Sequence, residues 1–184
     1  MAAQRAELGY RSGMPFTLTY PGQLKPRQRV SNVANRGELR GCFSSQLAER
    51  FGWVMDDTDL PVVEVQGRQY MPVIRRNLGI AVALDMILLA PKQLLRVGDT
   101  DNRAKAVIDA LTLPGPQQGH PGDSTDTSQP TFCLLEDDSL VSELSVSARP
   151  WYGRPPGAHD GLALVTVTVV TDGRITITGI GFLG

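Results

Sequence analysis

The sequence predicts an α+β fold: a single domain in which a mixed β-sheet is packed by two helices. Two observations predict it. Segments with the apolar alternation or β-branched content of strands occur before, between and after two segments with helical periodicity. The length of 184 residues and the hydrophobic share of 41% are enough for one domain with a sizeable core. We expect residues 15–184 to form this domain and residues 1–14 to be a flexible tail.

The first elements are a strand, a loop and a short helix. Residues 15–20 (PFTLTY) alternate Phe, Leu and Tyr with Thr, which predicts a strand that ends at Pro21-Gly22. Residues 23–40 are basic, have no periodicity and contain proline, asparagine and glycine, so they are interpreted as a loop. In residues 45–54, apolar side chains recur at helical spacing and predict a short amphipathic helix.

A hairpin, a central strand and a second helix follow. Residues 62–74 predict a β-hairpin whose turn is at Gln66-Gly67. Residues 80–89 (IAVALDMILL) are rich in apolar and β-branched residues, as a central strand of a sheet would be. Residues 102–111 predict a helix because four apolar side chains share one face; these are Ala104, Val107, Ile108 and Leu111.

The last third of the chain alternates between loop and strand. Residues 113–131 (LPGPQQGHPGDSTDTSQPT) contain little apolar material and predict a flexible surface loop. Residues 141–146, 162–171 and 174–180 predict three further strands. The Asp172-Gly173 dipeptide predicts a tight hairpin between the last two.

The charge of the chain is unevenly distributed. The formal net charge of −1 by itself disfavours a nucleic-acid partner. However, residues 1–40 carry seven basic and two acidic side chains, or +5, which leaves about −6 for the remainder. A basic arm on an acidic body suits a protein that binds phosphates with one part and cations with the other. The alternative is a solvated tail, which we favour for residues 1–13.

Cysteine usage and hydropathy indicate a cytoplasmic protein. Cys42 and Cys133 are far apart and match no zinc-site spacing, so we expect two reduced thiols, at least one of them buried. The N-terminal residues lack the apolar core of a signal peptide. The longest apolar stretch, residues 80–91, is too short to span a bilayer and contains Asp85.

The first candidate site lies where an extended segment meets the second helix. In extended backbone, residues two apart point the same way, so Asp99 and Asp101 can present two carboxylates to one side. Asp101 or Asn102 also suits a helix N-cap. Lys105 and Asp109 follow Asp101 at intervals of four residues and share its helical face.

A second acidic cluster follows the loop. Glu136-Asp137-Asp138 lies between apolar residues, and crowded carboxylates repel unless a cation or a proton offsets them. Mg²⁺ prefers oxygen ligands, which Asp99, Asp101 and Asp138 would supply. Lys105 would then offset charge on a phosphate in the transition state.

Simpler interpretations remain open for each cluster. Asp101 would be only a helix cap, and Lys105 with Asp109 only an exposed pair that contributes about a few tenths of a kcal/mol. The triple acid would be a solubilising turn. Each cluster taken alone favours these readings, and only the combination is specific.

That combination resembles the RusA family of Holliday junction resolvases. The family pattern is Asp-x-Asp-Asn, then x-x-Lys-Ala, x-x-Asp-Ala-Leu, and later an Asp-Asp pair followed by a small polar residue. The matching segments here are Asp99-Thr100-Asp101-Asn102, Lys105-Ala106, Asp109-Ala110-Leu111 and Asp137-Asp138-Ser139. Residues 16–21 (FTLTYP) are similar to the first strand of the family and its proline-bearing turn. The resemblance covers residues 96–145 and is weaker elsewhere.

The resemblance implies a RusA-like fold and a homodimeric, Mg²⁺- or Mn²⁺-dependent endodeoxyribonuclease, often prophage-encoded. Such an enzyme nicks four-way DNA junctions in pairs during recombination and repair. Asp99, Asp101 and Asp138 would be the catalytic carboxylates that hold metal, and Lys105 the catalytic lysine. Asp137 would have a lesser part, and Asn102 and Asp109 structural ones.

Some features depart from the family pattern. Its run of arginines before the first Asp is replaced here by a stretch with Lys92 and Arg96. The basic side chains that would bind DNA instead are Lys25, Arg27, Arg29, Arg75 and Arg76. The loop before the Asp-Asp pair is also longer than in the family. His120, His159, Trp53, Trp151 and Tyr152 are assigned no role in the site.

Two other functions compete with the endonuclease. One is a catalytically silent DNA-binding or replication-accessory protein of the same fold. The other is a hydrolase that acts on nucleotides or RNA through the same metal site. The four site residues together argue against a silent protein, because a pure binding module has no use for carboxylates that face phosphate.

Overall fold

Two mixed β-sheets and two long helices make up an α+β fold, in agreement with the fold class that the sequence predicts. The computed structural model describes residues 15–22, 24, 32–52, 61–95, 100–116, 129–153 and 161–171. The elements in chain order are β1 Phe16–Pro21, α1 Asn32–Phe51, β2 Val63–Val65, β3 Arg68–Ile74, β4 Ile80–Ala90, α2 Lys92–Leu95, α3 Thr100–Leu111, β5 Thr131–Leu135, β6 Val141–Pro150 and β7 Leu162–Thr171.

The larger sheet is organised around β4. Its strand order is β1-β7-β4-β6, with β4 antiparallel to β7 and parallel to β6. Along β4, every second side chain is buried, so one face of the sheet packs into the core and the other does not. The buried side chains are Val82, Leu84, Met86 and Leu88. The predicted central strand is therefore confirmed.

The smaller sheet has the order β2-β3-β5. Gln66 and Gly67 join β2 to β3 with φ angles of 51° and 74°, the left-handed pair that a two-residue hairpin turn requires, so the predicted hairpin is confirmed. Strand β5 pairs in parallel with β3, and Thr112 bridges to Leu135 at its end. The sequence did not predict β5, because its five residues adjoin a long polar loop.

The prediction of a loop over residues 23–40 is wrong for residues 32–40, which form the first half of α1. The helix is stabilised by a buried stripe at four-residue intervals, Leu39, Phe43 and Leu47. Arg36 and Arg40 flank this stripe and face α3, where their charges are neutralised or hydrogen-bonded. Sequence periodicity does not reveal this stripe, because two of the side chains that the helix buries or half-buries are arginines.

Helix α3 and strands β6 and β7 match their predictions in type. Strand β7 has the predicted bounds, whereas β6 continues four residues past the predicted end to Pro150. The tail at residues 1–14, the hairpin at Asp172-Gly173 and the strand at residues 174–180 lie outside the described residues. Both cysteines are free thiols, with Cys133 buried and Cys42 half-buried, as expected.

The core lies between the helices and the inward faces of the two sheets. It contains side chains from α1, α3 and all strands except β2 and β6, and its partly buried margin includes Val141 and Val146 of β6. Of the helices described, none has both the length and the apolar character needed to cross a membrane.

Candidate functional site

Helix α3 separates its packing residues from the candidate site residues. Ala104, Val107 and Leu111 are buried against the core. Asp101 in the first turn and Lys105 one turn later are exposed on the other side. The apolar periodicity thus fixes which way the helix faces, and the carboxylate and the ammonium group face solvent as neighbours four residues apart. Asp99 lies outside the described residues.

Asp109 belongs to the packing between helices. Its carboxylate Oδ2 lies 3.6 Å from Nη1 of Arg36 in α1, in place of the predicted exposed pair with Lys105. Its backbone oxygen accepts a hydrogen bond of 2.8 Å from Nη2 of Arg40. Carbonyls at a helix C-terminus are partly negative, so a guanidinium beside them is favourable. Asp109 is therefore structural, consistent with the role that the sequence resemblance implies.

The three acidic residues after β5 have three different environments. Glu136 Oε2 accepts the backbone N–H of Arg76 at 2.8 Å. Asp137 Oδ1 accepts the backbone N–H of Ser139 at 3.0 Å and also its hydroxyl, and Asp137 Oδ2 lies 2.8 Å from Nη2 of Arg76. Within the part of the chain that the structure describes, the exposed Asp138 carboxylate has no hydrogen-bond partner. Asp138 is thus available to a ligand, whereas Asp137 holds the turn.

These contacts set the protonation of the turn. The hydrogen bond from the Ser139 hydroxyl, then those from Arg76 and the Ser139 backbone, lower the pKa of Asp137 to about 2. The hydrogen bond and the charge of Asp137 in turn raise the pKa of Arg76. The sequence predicts that a cation or a proton offsets the crowded carboxylates, and Arg76 supplies a cation beside Asp137. Arg76 therefore offsets part of the negative charge of the acidic turn.

Asp101 and Asp138 lie near opposite ends of β4. Arg103, two residues after Asp101, lines a small cavity with Leu88 and Ala90 at the end of the strand. The acidic turn immediately precedes Val141, which pairs with Val82 near its start. Eight residues of strand separate these levels, roughly 26 Å at about 3.3 Å per residue. The elements that carry Asp101 and Asp138 therefore lie toward different ends of β4.

Among the described residues, there is no group of three or more His, Cys, Asp or Glu side chains that could hold a metal ion. Asp99 is not among those residues, so the predicted trio is not represented in full. The described donors are exposed carboxylate oxygens, which is the chemistry that Mg²⁺ selects.

Sequence reasoning missed Arg103. It is only 5% exposed although charged, and it borders a cavity of about 20 Å³ next to the turn at Gly22. Arg103 precedes Val107 by four residues and so lies on the apolar face of α3, which is the signal that could have identified it. Gly22 is also constrained, because a Cβ there would lie 2.6 Å from the Tyr20 ring.

The predicted DNA-binding side chains are only partly described. Lys25, Arg27 and Arg29 lie outside the described residues. Arg75 is half-buried, and the side chain of Arg76 is 62% exposed although it pairs with Asp137. Two further arginines of the basic arm, Arg36 and Arg40, face α3 and are withdrawn from solvent.

Two other reactive side chains are held in their neutral forms. Burial, and then the charge of Glu38 and its hydrogen bond, raise the pKa of Tyr20 to about 12. Burial also raises the pKa of the Cys42 thiol, which donates to the Thr19 carbonyl at 3.4 Å. Neither side chain is suited to act as a nucleophile near neutral pH.

No protein-family model and no curated protein matches this chain. The functional argument therefore depends on the residues themselves and on where the fold places them.

Proposed function

We propose that this protein is a Mg²⁺-dependent, structure-selective endodeoxyribonuclease that resolves four-way DNA junctions by paired phosphodiester hydrolysis. One observation carries the proposal. The residues of the resolvase-like string divide on α3 as a catalytic surface requires, with Asp101 and Lys105 exposed and Ala106, Ala110 and Leu111 buried. The support lies in the combination, because the exposed Asp101 and Lys105 are the two positions on α3 to which the resemblance assigns catalytic roles.

Each site residue has a distinct task in this proposal. Asp99, Asp101 and Asp138 hold the metal through carboxylate oxygens. A bound Mg²⁺ or Mn²⁺ supplies Lewis-acid polarisation of the scissile phosphate and a water of lowered pKa. The Lys105 ammonium offsets negative charge that develops on the phosphate oxygens. Asp137 keeps the Asp138 turn in shape through Ser139 and Arg76.

The separation of Asp101 and Asp138 gives the homodimer expected from the resemblance a specific task. We propose that each metal site contains Asp101 of one copy and Asp138 of the other. This proposal is supported by the levels of the two elements along β4, because α3 begins toward one end of the strand and the acidic turn lies toward the other. Two such sites related by a two-fold axis would suit a junction that is cut in two strands.

The proposed setting is DNA recombination and repair in the cytoplasm. Phosphate contacts would come from Lys25, Arg27 and Arg29 of the basic arm, with Arg75 and Arg76 nearer the acidic turn. Because Arg76 already pairs with Asp137, its net contribution to phosphate binding is smaller than that of an unpaired cation.

The deciding measurement is cleavage of an end-labelled synthetic four-way junction and a linear duplex of matched sequence, each with Mg²⁺ or EDTA. Wild type is expected to make symmetrical nicks in the junction only with Mg²⁺. Asp101→Asn is expected to bind the junction but not cut it, because a metal ligand is lost. Asp85→Asn on β4 makes the same chemical change at an exposed carboxylate outside the site, and it should cut normally.

The competing functions give different results in the same assay. A catalytically silent DNA-binding protein would retard the junction in a native gel but would not cut it with Mg²⁺ or Mn²⁺. A nucleotide or RNA hydrolase would leave the junction intact and consume nucleotide or RNA substrates included in parallel. Cutting by Asp101→Asn at the wild-type rate would remove Asp101 from the site.

A further inference from the structure

The edges of the two sheets are protected to different degrees. At the β1 edge, the Gln46 side chain accepts the Thr19 backbone N–H at 2.8 Å and donates to the Thr19 carbonyl at 2.7 Å, as a neighbouring strand would. At β5, the Phe132 N–H donates to Ser44 Oγ at 2.9 Å and Leu135 accepts from Leu113 at 2.8 Å. Strand β2 is an edge of only three residues.

Strand β6 has no such protection among the described residues. It has ten residues and, among the described strands, pairs with β4 alone. Proteins normally shorten, charge or cover a long edge, because its unpaired N–H and C=O groups invite another strand. An edge of ten residues that is open within the described part of the chain favours a partner strand.

The two faces of β6 differ in character. Leu144, Val146 and Ala148 lie level with Leu84, Met86 and Leu88 of β4, and so share the apolar face that the helices cover elsewhere. Leu144 is nevertheless 49% exposed, and Ala148 is exposed. The other face carries Glu143, Ser145, Ser147 and Arg149. A partner must therefore continue both an apolar and a charged face.

We propose that the partner is a second copy of this chain, whose β6 pairs antiparallel with β6 about a two-fold axis at Val146. The two four-stranded sheets then form one continuous sheet with the helices of both copies on the same side. Directly opposite residues in an antiparallel pair point to the same face. Val146 lies opposite Val146 of the partner subunit, and Leu144 lies opposite Ala148 of the partner subunit.

Charge complementarity selects this register. Glu143 and Arg149 are each three residues from Val146, so Glu143 faces Arg149 of the partner subunit and Arg149 faces Glu143 of the partner subunit. A shift of the axis by one residue in either direction places Glu143 opposite Ser147 or Trp151 and breaks both ion pairs. The proposal uses only the geometry of the sheet, so it stands whether or not the protein cuts DNA.

Reversing these charges tests the interface by sedimentation velocity over a range of protein concentrations. Wild type is expected to be a dimer. Glu143→Arg alone or Arg149→Glu alone places like charges opposite each other twice, and should raise the dissociation constant roughly tenfold. The double variant Glu143→Arg/Arg149→Glu restores both pairs and should associate like wild type. Glu64→Arg on β2 is the control for an equal charge change on another edge.

Mixing the two single variants provides a second measurement. Chains with Glu143→Arg and chains with Arg149→Glu are complementary only to each other, so the mixture should form heterodimers more strongly than either variant self-associates. The proposal is overturned if wild type is monomeric throughout, if the single variants dimerise like wild type, or if neither the double variant nor the mixture recovers association. Circular dichroism checks that every variant is folded.

Discussion

At the scale of single residues, the neighbouring carboxylates of Asp137 and Asp138 differ in their hydrogen bonding. Asp137 accepts from Ser139 and pairs with Arg76, whereas the Asp138 carboxylate next to it has no hydrogen-bond partner among the described residues. The turn therefore has one residue that stabilises its conformation and one that remains available. A sequence cannot make this distinction, since it depends on which side chain Arg76 approaches.

The Asp137 contacts predict a pH-dependent contribution to stability. The folded-state pKa of about 2 lies below the ordinary 3.8, so the contribution is complete above about pH 4 and is lost as the pH falls towards 2. Asp137→Asn should lower the free energy of unfolding by roughly 0.5–1 kcal/mol at pH 7, since the group is partly exposed.

Chemical denaturation between pH 7 and pH 2.5 measures this effect, with Asp85→Asn as the control for loss of a negative charge. The difference between wild type and Asp137→Asn should narrow as the pH falls below 4. A difference that stays constant down to pH 2.5 would contradict the assigned cause.

At the scale of elements, α1 is joined to the C-terminal end of α3 by arginines. Arg40 is 1% exposed, donates to the Asp109 carbonyl at 2.8 Å and lies 6.0 Å from the centroid of the Tyr70 ring. Arg36 adds an ion pair with Asp109. These contacts fix how α3 lies on the sheet, and hence which side of α3 presents Asp101 and Lys105.

Arg40→Ala should therefore destabilise the protein by about 3 kcal/mol, because it leaves a cavity and removes donors from the carbonyls at the end of α3. Thermal and urea unfolding measure the change. Glu49→Ala, an exposed position on the same helix, should alter stability by no more than about 0.5 kcal/mol. An Arg40→Ala effect as small as that of Glu49→Ala would show that the buried guanidinium is not required.

At the scale of the whole molecule, β4 sets the relative positions of the elements that carry the proposed site. The start of α3 lies near one end of β4 and the acidic turn near the other. In the proposed β6 register, Val141 of one copy is level with Trp151 of the other, because the two residues are equally far from Val146. The acidic turn of each copy then lies at the end of the sheet where α3 of its partner begins.

A site shared between chains predicts complementation. Asp101→Asn and Asp138→Asn should each be inactive alone, whereas a heterodimer of the two has one site with both carboxylates and one with neither. Co-expressed and co-purified as differently tagged chains, the mixture should nick labelled junctions once without paired cutting. If the site were contained in one chain, no heterodimer would hold an intact site, and the mixture would stay inactive.

The sequence by itself determined the fold class, most of the strands and the exposed pair on α3. Strict alternation and 3.6-residue periodicity are local properties, and hairpin chemistry at Gln66-Gly67 depends on backbone preferences of adjacent residues. The face of α3 that carries Asp101 and Lys105 follows from the same periodicity, because the position of the apolar stripe on a helix also determines which face is exposed to solvent.

Only the tertiary structure decided the extent of α1, the existence of β5 and the separation of Asp101 from Asp138. An arginine in a sequence usually predicts a surface position, yet Arg36, Arg40 and Arg103 are buried or half-buried. Arg36 pairs with a carboxylate, Arg40 donates to a backbone carbonyl, and Arg103 lines a cavity. Strand β5 is short and becomes a strand through its pairing with β3. The distance between two carboxylates depends on where parallel strands begin and end, which no local pattern contains.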